Sequence, residues 1–563
     1  MRNMGRVSPN GEGYLATTIA VPAGVRPRLR PVAQAPVEVS GHLIQNCVCG
    51  CAMFIADEEN GLQTAVCVAC GVKHQALNMT PAELTAWYTE QYQTYRVDTG
   101  RLMDNDLVVA NSRLDRYGDA MKGRMLDIGT ANGAFVRAAR ERGMDAWGHD
   151  LSKDSLSPTV YAGPLTDIHF PTDHFQTVTM HDVFEHVIDP WEFLAEAHRL
   201  TVQGGLLIID FPDFEAPEGR HHWKKVEHIW LFSLKQLTDL TDKIGFDVAK
   251  VDRPMPGRYM LHLTKRKEKR TSILLAPGIG DSFWAIGKLK SFCEKNGLGL
   301  PDVWISDMGD KKRSLEAVQK FPFVHAAGYR TGNHGSTIWN EAYMQKGRAV
   351  FRDHCGCDYF VASNGGLRHG MSMDQIMPEY AMDWYPPMFI SKEESAFRDK
   401  MQAEHGLYVV AYFLNVGMYS RWVQDFPIGQ IVQTLKKIQQ NMGVQILLTG
   451  APWDKGNLPT QIAQLAGNPA IIDFTGKTNF DQLMGLYRGA VGSIGYPSGS
   501  TIMGSVVKVP TMMLWNRYFV KEFWKNCCAP DALGHWYGIA DTSNTTPDHL
   551  AHEFAALCGR DPR

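Results

Sequence analysis

The sequence predicts an α/β protein that folds as several successive units, and three observations lead to that prediction. The chain has 563 residues, whereas a single hydrophobic core rarely serves more than roughly 250 to 300 residues. Apolar runs alternate with helix-like segments in three series, which begin near Arg124, Thr271 and Gly406. This alternation is typical of largely parallel sheets covered by helices. In front of the first series, five of the 11 cysteines crowd between residues 47 and 70 and predict a small separate module.

The first hundred residues divide into an arm, a cysteine module and a helix. Residues 1–40 scatter Pro, Gly and Arg without periodicity and predict a flexible arm. Residues 41–98 hold the cysteine module and then the helix. The helix is predicted to start at Thr80, because Pro81 follows it and Glu83 can complete a capping box.

The cysteine module has the form of a zinc ribbon. Cys67 and Cys70 are two residues apart and precede a glycine, as in a zinc knuckle. Their partner pair is Cys47 with Cys49 or Cys51, a choice that the irregular spacing leaves open, and the set we favour is Cys47, Cys49, Cys67 and Cys70. A bound zinc ion is expected to be structural, because four thiolates leave no open coordination position. The alternative is that these cysteines are reduced bystanders.

The unit predicted over residues 99–264 carries a glycine turn after its first strand. The stretch MLDIGTANGAF puts Asp127 at a strand end, then Gly129 and Gly133 in a turn that enters a helix. Such glycines let the backbone approach a ligand, and Asp150, after the next strand, is suited to accept hydrogen bonds from ribose hydroxyls. Any Rossmann-like sheet can use a turn of this kind, so it does not by itself identify the ligand.

Further motifs in the same unit narrow the class. They read FQTVTMHDVFEH, GGLLIIDFP and HIWLFS in that order. Together with the glycine turn they resemble the class I S-adenosylmethionine-dependent methyltransferases, in particular the subgroup with a zinc ribbon in front. The resemblance covers about residues 45–255 and implies a Rossmann-like sheet that binds S-adenosylmethionine (SAM).

The resemblance also implies roles for single residues. It implies that Asp127, Gly129 and Gly133 shape the pocket for the methionine moiety of SAM and that Asp150 holds its ribose. It also implies that Leu165 and Thr166 lie near the adenine. The residues from Asp182 through His186 would line the active site. One position departs from the family, which usually has glycine where this chain has Ala131.

Methyl transfer to a hydroxyl or a carbon acid also needs a group that takes the acceptor's proton. Glu185, His186 and His228 are the candidates. For each of them a structural role, such as bracing the loop after the strand, stays open as the alternative.

The second half of the chain begins after a charged run. KRKEKR predicts a solvated linker over residues 265–271, with a nucleic-acid patch as the weaker alternative. Two more units are predicted over residues 272–400 and 401–563. The first of them opens with ILLAPGIGDSFWAIGKLK, in which Asp281 stands at a helix start. A carboxylate there would repel phosphate but is suited to act as a base.

Three later stretches, DFTGKTNFDQL, VGSIGYPSGST and VPTMMLW, complete a second pattern. With the Asp281 turn they resemble the heptosyltransferase-like glycosyltransferases of the GT-B type, in which two Rossmann-like domains face each other across a cleft. The resemblance covers roughly residues 272–530. It implies that Asp281 is the base for the acceptor. Ser498, Gly499 and Thr501 would form the turn that receives the donor diphosphate, and Arg421 would be a basic residue near the donor phosphates. The family's Asp and His are replaced by Pro497 and Ile502, which leaves the sugar donor open.

Composition and charge limit the classes of partner. The chain is 44% hydrophobic and 21% charged, and 57 Lys and Arg nearly balance 60 Asp and Glu, for a net charge of -3. This balance does not favour a polyanionic partner, although a local basic face for nucleic acid stays open. No apolar run approaches the roughly 18 residues that span a bilayer, and residues 1–28 lack a signal-peptide core. We therefore expect a cytoplasmic protein without a membrane span, and the sequence indicates no oligomeric state.

The hypothesis from the sequence is a bifunctional enzyme that uses SAM and a nucleotide sugar to methylate and glycosylate a small-molecule, glycan or glycoside acceptor. One alternative is that the same activities modify a nucleic-acid base or a protein side chain. Another is that the glycosyltransferase-like half binds a ligand without turnover.

Overall fold

The structure is a computed structural model of the whole chain. It describes residues 37–39, 42–44, 47–49, 51, 53–59, 62–76, 79–90, 104–153, 156–224, 227–276, 278–306, 313–330, 350–354, 357–362, 371–372, 374–413, 426–515 and 521–559. Most of the predicted arm, and Arg421, lie outside these residues.

The cysteine module is an antiparallel β structure followed by one helix. Its elements are β1 (Val37–Val39), β2 (His42–Ile44), β3 (Met53–Glu59), β4 (Leu62–Cys67), β5 (Lys73–Gln75) and α1 (Pro81–Glu90). The predicted helix start is confirmed, because the backbone N–H of Glu83 donates to Thr80 Oγ1 over 3.2 Å and that of Thr80 donates to Glu83 Oε2 over 2.7 Å. These reciprocal bonds form a capping box.

The next unit is built on one seven-stranded sheet. Its elements are α2 (Asp104–Tyr117), β6 (Met125–Ile128), α3 (Ala134–Glu141), β7 (Ala146–Asp150), β8 (Val160–Ala162), β9 (Phe175–His181), α4 (Pro190–Leu200), β10 (Thr201–Pro212), β11 (Trp230–Leu231), α5 (Leu234–Ile244), β12 (Phe246–Asp252) and β13 (Arg258–Lys265). The order across the sheet is β12-β13-β10-β9-β6-β7-β8. Strands β10, β9, β6, β7 and β8 are parallel, and β13 is antiparallel to both of its neighbours. The largely parallel sheet predicted from the sequence is therefore confirmed.

The cysteine module is joined to this unit by strand pairing. Strand β11 is not part of the seven-stranded sheet. It pairs antiparallel with β5 of the cysteine module, with Trp230 opposite His74. The side-chain amide of Gln75 donates to the backbone carbonyls of Lys224 and His228, each over 3.0 Å. The module thus holds the loop that precedes β11.

A five-stranded sheet follows. Its unit contains β14 (Ser272–Leu275), α6 (Ile279–Lys295), β15 (Asp302–Ser306), α7 (Arg313–Val318), β16 (His325–Arg330), β17 (Val350–His354) and β18 (Cys357–Ala362). The order is β16-β15-β14-β18-β17, and of these strands β17 is antiparallel to its neighbour.

A six-stranded parallel sheet completes the chain. Its unit contains α8 (Lys392–His405), β19 (Tyr408–Tyr412), α9 (Ile428–Met442), β20 (Gln445–Leu448), α10 (Leu458–Ala466), β21 (Ile471–Asp473), α11 (Phe480–Gly489), β22 (Gly492–Gly495), α12 (Gly499–Val506), β23 (Thr511–Trp515), β24 (Tyr537–Asp541) and α13 (Pro547–Leu557). The order β21-β20-β19-β22-β23-β24 is the 3-2-1-4-5-6 order of a dinucleotide-binding Rossmann sheet. Helix α8 crosses the boundary expected at residue 400 and packs on α11.

The five-stranded and six-stranded units share a buried apolar cluster. It includes Ile273 and Phe283 from the first unit and Tyr408 and Met484 from the second. Burying apolar surface is the main favourable contribution to folding, so these two units stabilise each other.

The run KRKEKR differs from the solvated linker that we expected. Its middle is exposed, but Lys265 is buried and its ammonium group donates to Asp173 over 2.7 Å. Arg270 also pairs with Asp173, over 2.5 Å. The charges at the ends of the run therefore anchor it to the seven-stranded unit. Within the described ranges, no helix is both long and apolar enough to cross a bilayer.

Candidate active site

A cavity of about 780 Å³ opens at the carboxyl edge of the seven-stranded sheet. Parallel strands end at the same edge, so the residues that follow β6, β7 and β9 meet there. The predicted site residues that line it are Asp127, Gly129, Asp150, Leu165, Thr166, Asp182, His186 and His228. Two other predicted residues, Gly133 and Glu185, are not in its lining.

The glycine turn after β6 depends on left-handed backbone. Gly129 and Gly133 both have φ of 73°, a region that other residues rarely adopt. A Cβ on Gly129 would also lie 2.3 Å from Val183 Cγ2. Ala131 has φ of 51° in the same turn, and its backbone N–H donates to Asp150 Oδ2 over 2.8 Å. An alanine thus occupies a conformation that favours glycine.

Two carboxylates lie at the end of the cavity next to the glycine turn. Asp127 is buried and accepts a hydrogen bond of 2.7 Å from Thr179 Oγ1, and burial raises its pKa to about 6. Asp150 Oδ1 accepts a 2.9 Å bond from the backbone N–H of Ser152. The second carboxylate is fixed in place by these backbone donors while its remaining lone pairs can still accept bonds from a ligand.

Asp182 belongs to a four-membered ion network. Arg258 pairs with Asp182 and, over 2.9 Å, with Asp210, while Arg113 lies 2.9 Å from Asp182 and 3.2 Å from Asp210. Burial opposes the ionised form of Asp182, but the charges of Arg258 and Arg113 outweigh it and hold its pKa well below the usual range. Neither arginine stands in a sequence motif, so the sequence alone does not predict that they reach this site.

The opposite end of the cavity gathers three imidazoles and a carboxyl group. His186 and His228 are in contact, with ring centroids 4.7 Å apart, and Glu185 Oε1 lies 4.0 Å from His186 Nε2. Burial raises the pKa of Glu185 to about 8, and the charge of Asp182 adds to that effect. Burial lowers the pKa of His186 to about 4 and also lowers that of His228. His222 also lines the cavity, and its ring centroid lies 6.2 Å from that of His228.

Three distant segments form this end. The backbone N–H of Ile229 donates to Glu185 O over 2.8 Å, which sets His228 beside Glu185. From helix α1, Tyr88 Oη lies 3.1 Å from His186 Nδ1 and donates to the carbonyl of Glu227 over 2.7 Å. Tyr88 also lines the cavity, so the N-terminal module contributes a side chain to this site.

The four favoured cysteines of the N-terminal module lie together. Cys47 Sγ is 3.3 Å from Cys70 Sγ, Cys49 Sγ is 3.4 Å from Cys67 Sγ, and all four sulfurs lie within 4.8 Å of one another. Sulfurs on a tetrahedral zinc ion with bonds of about 2.3 Å would be about 3.8 Å apart, so the donor set and its spacing fit such an ion. Cys51 is not part of this group.

In the second half, two helix N-termini meet. Asp281 lies in the first turn of α6, and Ser498 precedes α12. The helices touch through glycines, since a Cβ on Gly499 would lie 3.3 Å from the backbone nitrogen of Gly280. Thr501 Oγ1 accepts a 3.0 Å hydrogen bond from the backbone N–H of Ser498.

Residues 105–251 match a family model described as a methyltransferase domain. No curated protein matches the chain. Among solved structures, a SAM-dependent methyltransferase from Archaeoglobus fulgidus is 17% identical with a TM-score of 0.27, and the alignment covers 31% of this chain and 100% of that one. A SAM-dependent methyltransferase from Thermotoga maritima, described as a possible histamine N-methyltransferase, is 20% identical with a TM-score of 0.26, and 32% and 99% of the two chains are covered.

The family model defines the class of this part of the chain. It spans the glycine turn, both carboxylates at the cofactor end, and the Glu185-His186 pair. The seven-stranded unit therefore contains a region that matches a methyltransferase domain, and its sheet is Rossmann-like and largely parallel. The model covers less than half of the chain.

Proposed function

We propose that the chain is a bifunctional transferase that methylates, with SAM as donor, and glycosylates, with a nucleotide sugar as donor, a glycan or glycoside acceptor. The observation that carries the methyl-transfer half is the single cavity that joins the predicted cofactor residues to His186 and His228. A cytoplasmic location accompanies this proposal.

In the methyltransferase half, each residue has a defined task. The sulfonium of SAM supplies an electrophilic methyl group. Asp150 holds the ribose, Leu165 and Thr166 contact the adenine, and the turn at Gly129 and Gly133 admits the methionine moiety. Asp127, whose carboxylate faces the same end of the cavity, pairs with the cationic amino group of that moiety.

The acceptor binds at the other end. Tyr88 gives its hydroxyl proton to the Glu227 carbonyl, so His186 donates from Nδ1 to the tyrosine oxygen and keeps its Nε2 lone pair. His186 and His228 then face the atom that loses a proton as it is methylated, and Glu185, next to His186, is the third candidate to take that proton. Asp182, fixed by Arg113 and Arg258, forms the boundary between the two ends.

We also propose that zinc on Cys47, Cys49, Cys67 and Cys70 has a structural role. The module contributes Gln75 and Tyr88 to the loop that carries His228. A metal that folds the module would therefore also fix the acceptor end of the cavity.

For the glycosyltransferase half, the proposal takes residues 272–400 as an acceptor domain and residues 401–563 as a nucleotide-sugar domain of the GT-B type. A largely parallel sheet and a fully parallel sheet, whose units meet through α6 and α12, support it. Asp281 is the base for an acceptor hydroxyl, and Ser498, Gly499 and Thr501 receive the donor diphosphate at a helix N-terminus. Arg421 is kept as a phosphate-binding candidate.

The experiment is incubation of the full chain with methyl-labelled SAM and a panel of nucleotide sugars. We expect Asp281→Asn to abolish hydrolysis or transfer of the sugar while calorimetric binding of S-adenosylhomocysteine stays unchanged. Glu294→Gln, an exposed substitution on the same helix, is the matched control. Nucleotide-sugar binding without turnover across the panel would instead indicate a non-catalytic second half, and absence of SAM binding would contradict the first half.

A further inference from the structure

We propose that Glu185, His186 and His228 together bind one divalent transition-metal ion at the acceptor end of the methyltransferase cavity. The three side chains can each offer one ligand atom, and these atoms lie within 4.8 Å of one another. An ion at the centre of such a group would be within bonding distance of all three after small side-chain adjustments, because metal bonds to nitrogen and carboxylate oxygen are about 2.0 to 2.2 Å long.

Two of the three ligands have buried polar atoms that no described group satisfies. Glu185 is 2% exposed and His228 is 3% exposed. Both carboxylate oxygens of Glu185 and Nδ1 of His228 are buried, and no other described residue gives them a hydrogen bond. Leaving such atoms unpaired costs about 1 to 3 kcal/mol each, and more for a charged group. A cation is a partner that satisfies them together.

The other ring nitrogens of the histidines are already occupied, as they are in metal sites. His186 Nδ1 bonds to Tyr88 Oη, and the backbone of His222 forms a hydrogen bond with His228. Histidines that bind metals usually donate their second ring N–H to such a group, which fixes the tautomer and aims the free lone pair at the ion. The outer hydrogen bonds needed for this site are therefore in place.

Local charge also favours a cation. Arg113 and Arg258 are balanced by Asp182 and Asp210. An ionised Glu185 thus has no counter-ion of its own among the described side chains within ion-pair distance, apart from the neighbouring His186. A divalent ion would supply the missing positive charge in a region where water does not screen it.

The ligand set indicates the kind of ion. Two imidazoles and a carboxylate suit zinc, iron, nickel or other first-row transition ions rather than magnesium or calcium. Three protein ligands leave a coordination position open, and His186 and His228 both line the cavity. An acceptor oxygen or nitrogen would bind at this open position. The role of the ion in catalysis therefore rests on the proposed methyl transfer, whereas the binding of the ion to the protein does not.

The test is metal analysis of the full chain after loading with Zn²⁺ and removal of excess ion. We expect Glu185→Gln and His228→Gln each to lower the bound metal by one ion per chain relative to the wild type. His222→Gln is the matched control, since His222 lines the same cavity but is not one of the three ligands, and it should keep the wild-type metal content. Equal metal content in all four proteins would overturn the proposal.

A second measurement does not depend on the folding of the variants. Cobalt(II) bound to the wild-type chain should give two sets of visible absorption bands, one with thiolate charge transfer from the cysteine module and one without it. Absence of the second set overturns the proposal. Calorimetry with S-adenosylhomocysteine in parallel separates the two failures, because cofactor binding without the second ion contradicts only this inference, whereas no cofactor binding contradicts the methyl transfer itself.

Discussion

The two halves of the molecule place the carboxyl ends of parallel strands at their working edge but use glycine there for different reasons. In the methyltransferase half, Gly129 and Gly133 adopt left-handed backbone, and Gly129 lines the cavity. In the C-terminal half, Gly278 has an ordinary φ of -74°, and Gly280 is needed for closeness, because a Cβ there would lie 2.5 Å from Ile502 Cδ1 and 3.3 Å from Gly499 Cα. Glycine is thus needed in one half for its left-handed backbone and in the other for the close approach of two helices.

The halves also differ in where their charged groups stand. The first half presents Asp127 and Asp150 toward a cavity, each held by hydroxyl or backbone donors. The second half presents Asp281 beside a contact between two helices. The first arrangement suits a cofactor that is enclosed, and the second suits a site assembled between two units.

We expect the greatest loss of ligand affinity from a substitution of Asp150 in the first half. Asp150→Ala should weaken binding of S-adenosylhomocysteine by roughly 100-fold or more, since two hydrogen bonds to a charged group are lost at about 1.5 to 3 kcal/mol each. Calorimetric titration measures this. Asp119→Ala, which removes an exposed carboxylate outside the cavity, is the control, and an unchanged affinity in Asp150→Ala would show that the carboxylate does not hold the ribose.

A smaller effect is expected at the contact between the two C-terminal units. Gly280→Ala should lower the free energy of unfolding by about 1 to 3 kcal/mol, because the added methyl group must push against Ile502 and the backbone of Gly499. Denaturant unfolding followed by fluorescence measures it. The control Gly299→Ala adds a methyl group with no atom within 4 Å, and equal stability of the two variants would mean that the helices do not need this close approach.

Asp127 should make ligand affinity and protein stability depend on pH in opposite directions. Burial raises its pKa to about 6, and a bound cationic amino group favours the ionised form, so SAM affinity should be constant above pH 6 and fall by up to about tenfold per pH unit below it. The stability of the free protein should change in the opposite direction. Between about pH 6 and pH 4 the folded state binds more protons than the unfolded state, so this group's contribution to stability rises as the pH falls.

Asp127→Asn tests that assignment. The variant should bind SAM more weakly at neutral pH, with an affinity that no longer depends on pH between 5 and 7. Calorimetry at a series of pH values measures the profile. A profile that persists in the variant would assign the titration to another group.

The smallest expected effect concerns the alanine in the glycine turn. Ala131→Gly should change the free energy of unfolding by about 1 kcal/mol or less, since the relief of left-handed strain is partly offset by the greater freedom of glycine in the unfolded chain. Ala138→Gly, in helix α3, should clearly destabilise the protein instead. Thermal unfolding compares the two, and a loss of stability in Ala131→Gly as large as that in Ala138→Gly would contradict strain at residue 131.

Much of the fold could be predicted because its signals are local. The strand and helix periods around Met125–Phe135, the capping box at Thr80 and the spacing of Cys67 and Cys70 each depend on residues a few positions apart. The domain boundaries were harder to infer. Helix α8 crosses residue 400, and the charged run that begins at the last residue of β13 is anchored at both ends by Asp173. Contacts of this kind join residues far apart in the chain, and local patterns do not reveal them.

The amino-acid sequence alone predicts that Asp127, Gly129 and Asp150 lie close together, since they follow neighbouring parallel strands that end at one edge of the sheet. The structure places all three in the lining of one cavity. Only the tertiary structure decided the acceptor end. There Tyr88 from the N-terminal module and His228 from a distant loop reach His186, and Arg113 and Arg258 converge on Asp182. A strand and the turn that follows it are set by residues a few positions apart, whereas a site built from separate segments depends on how whole units pack.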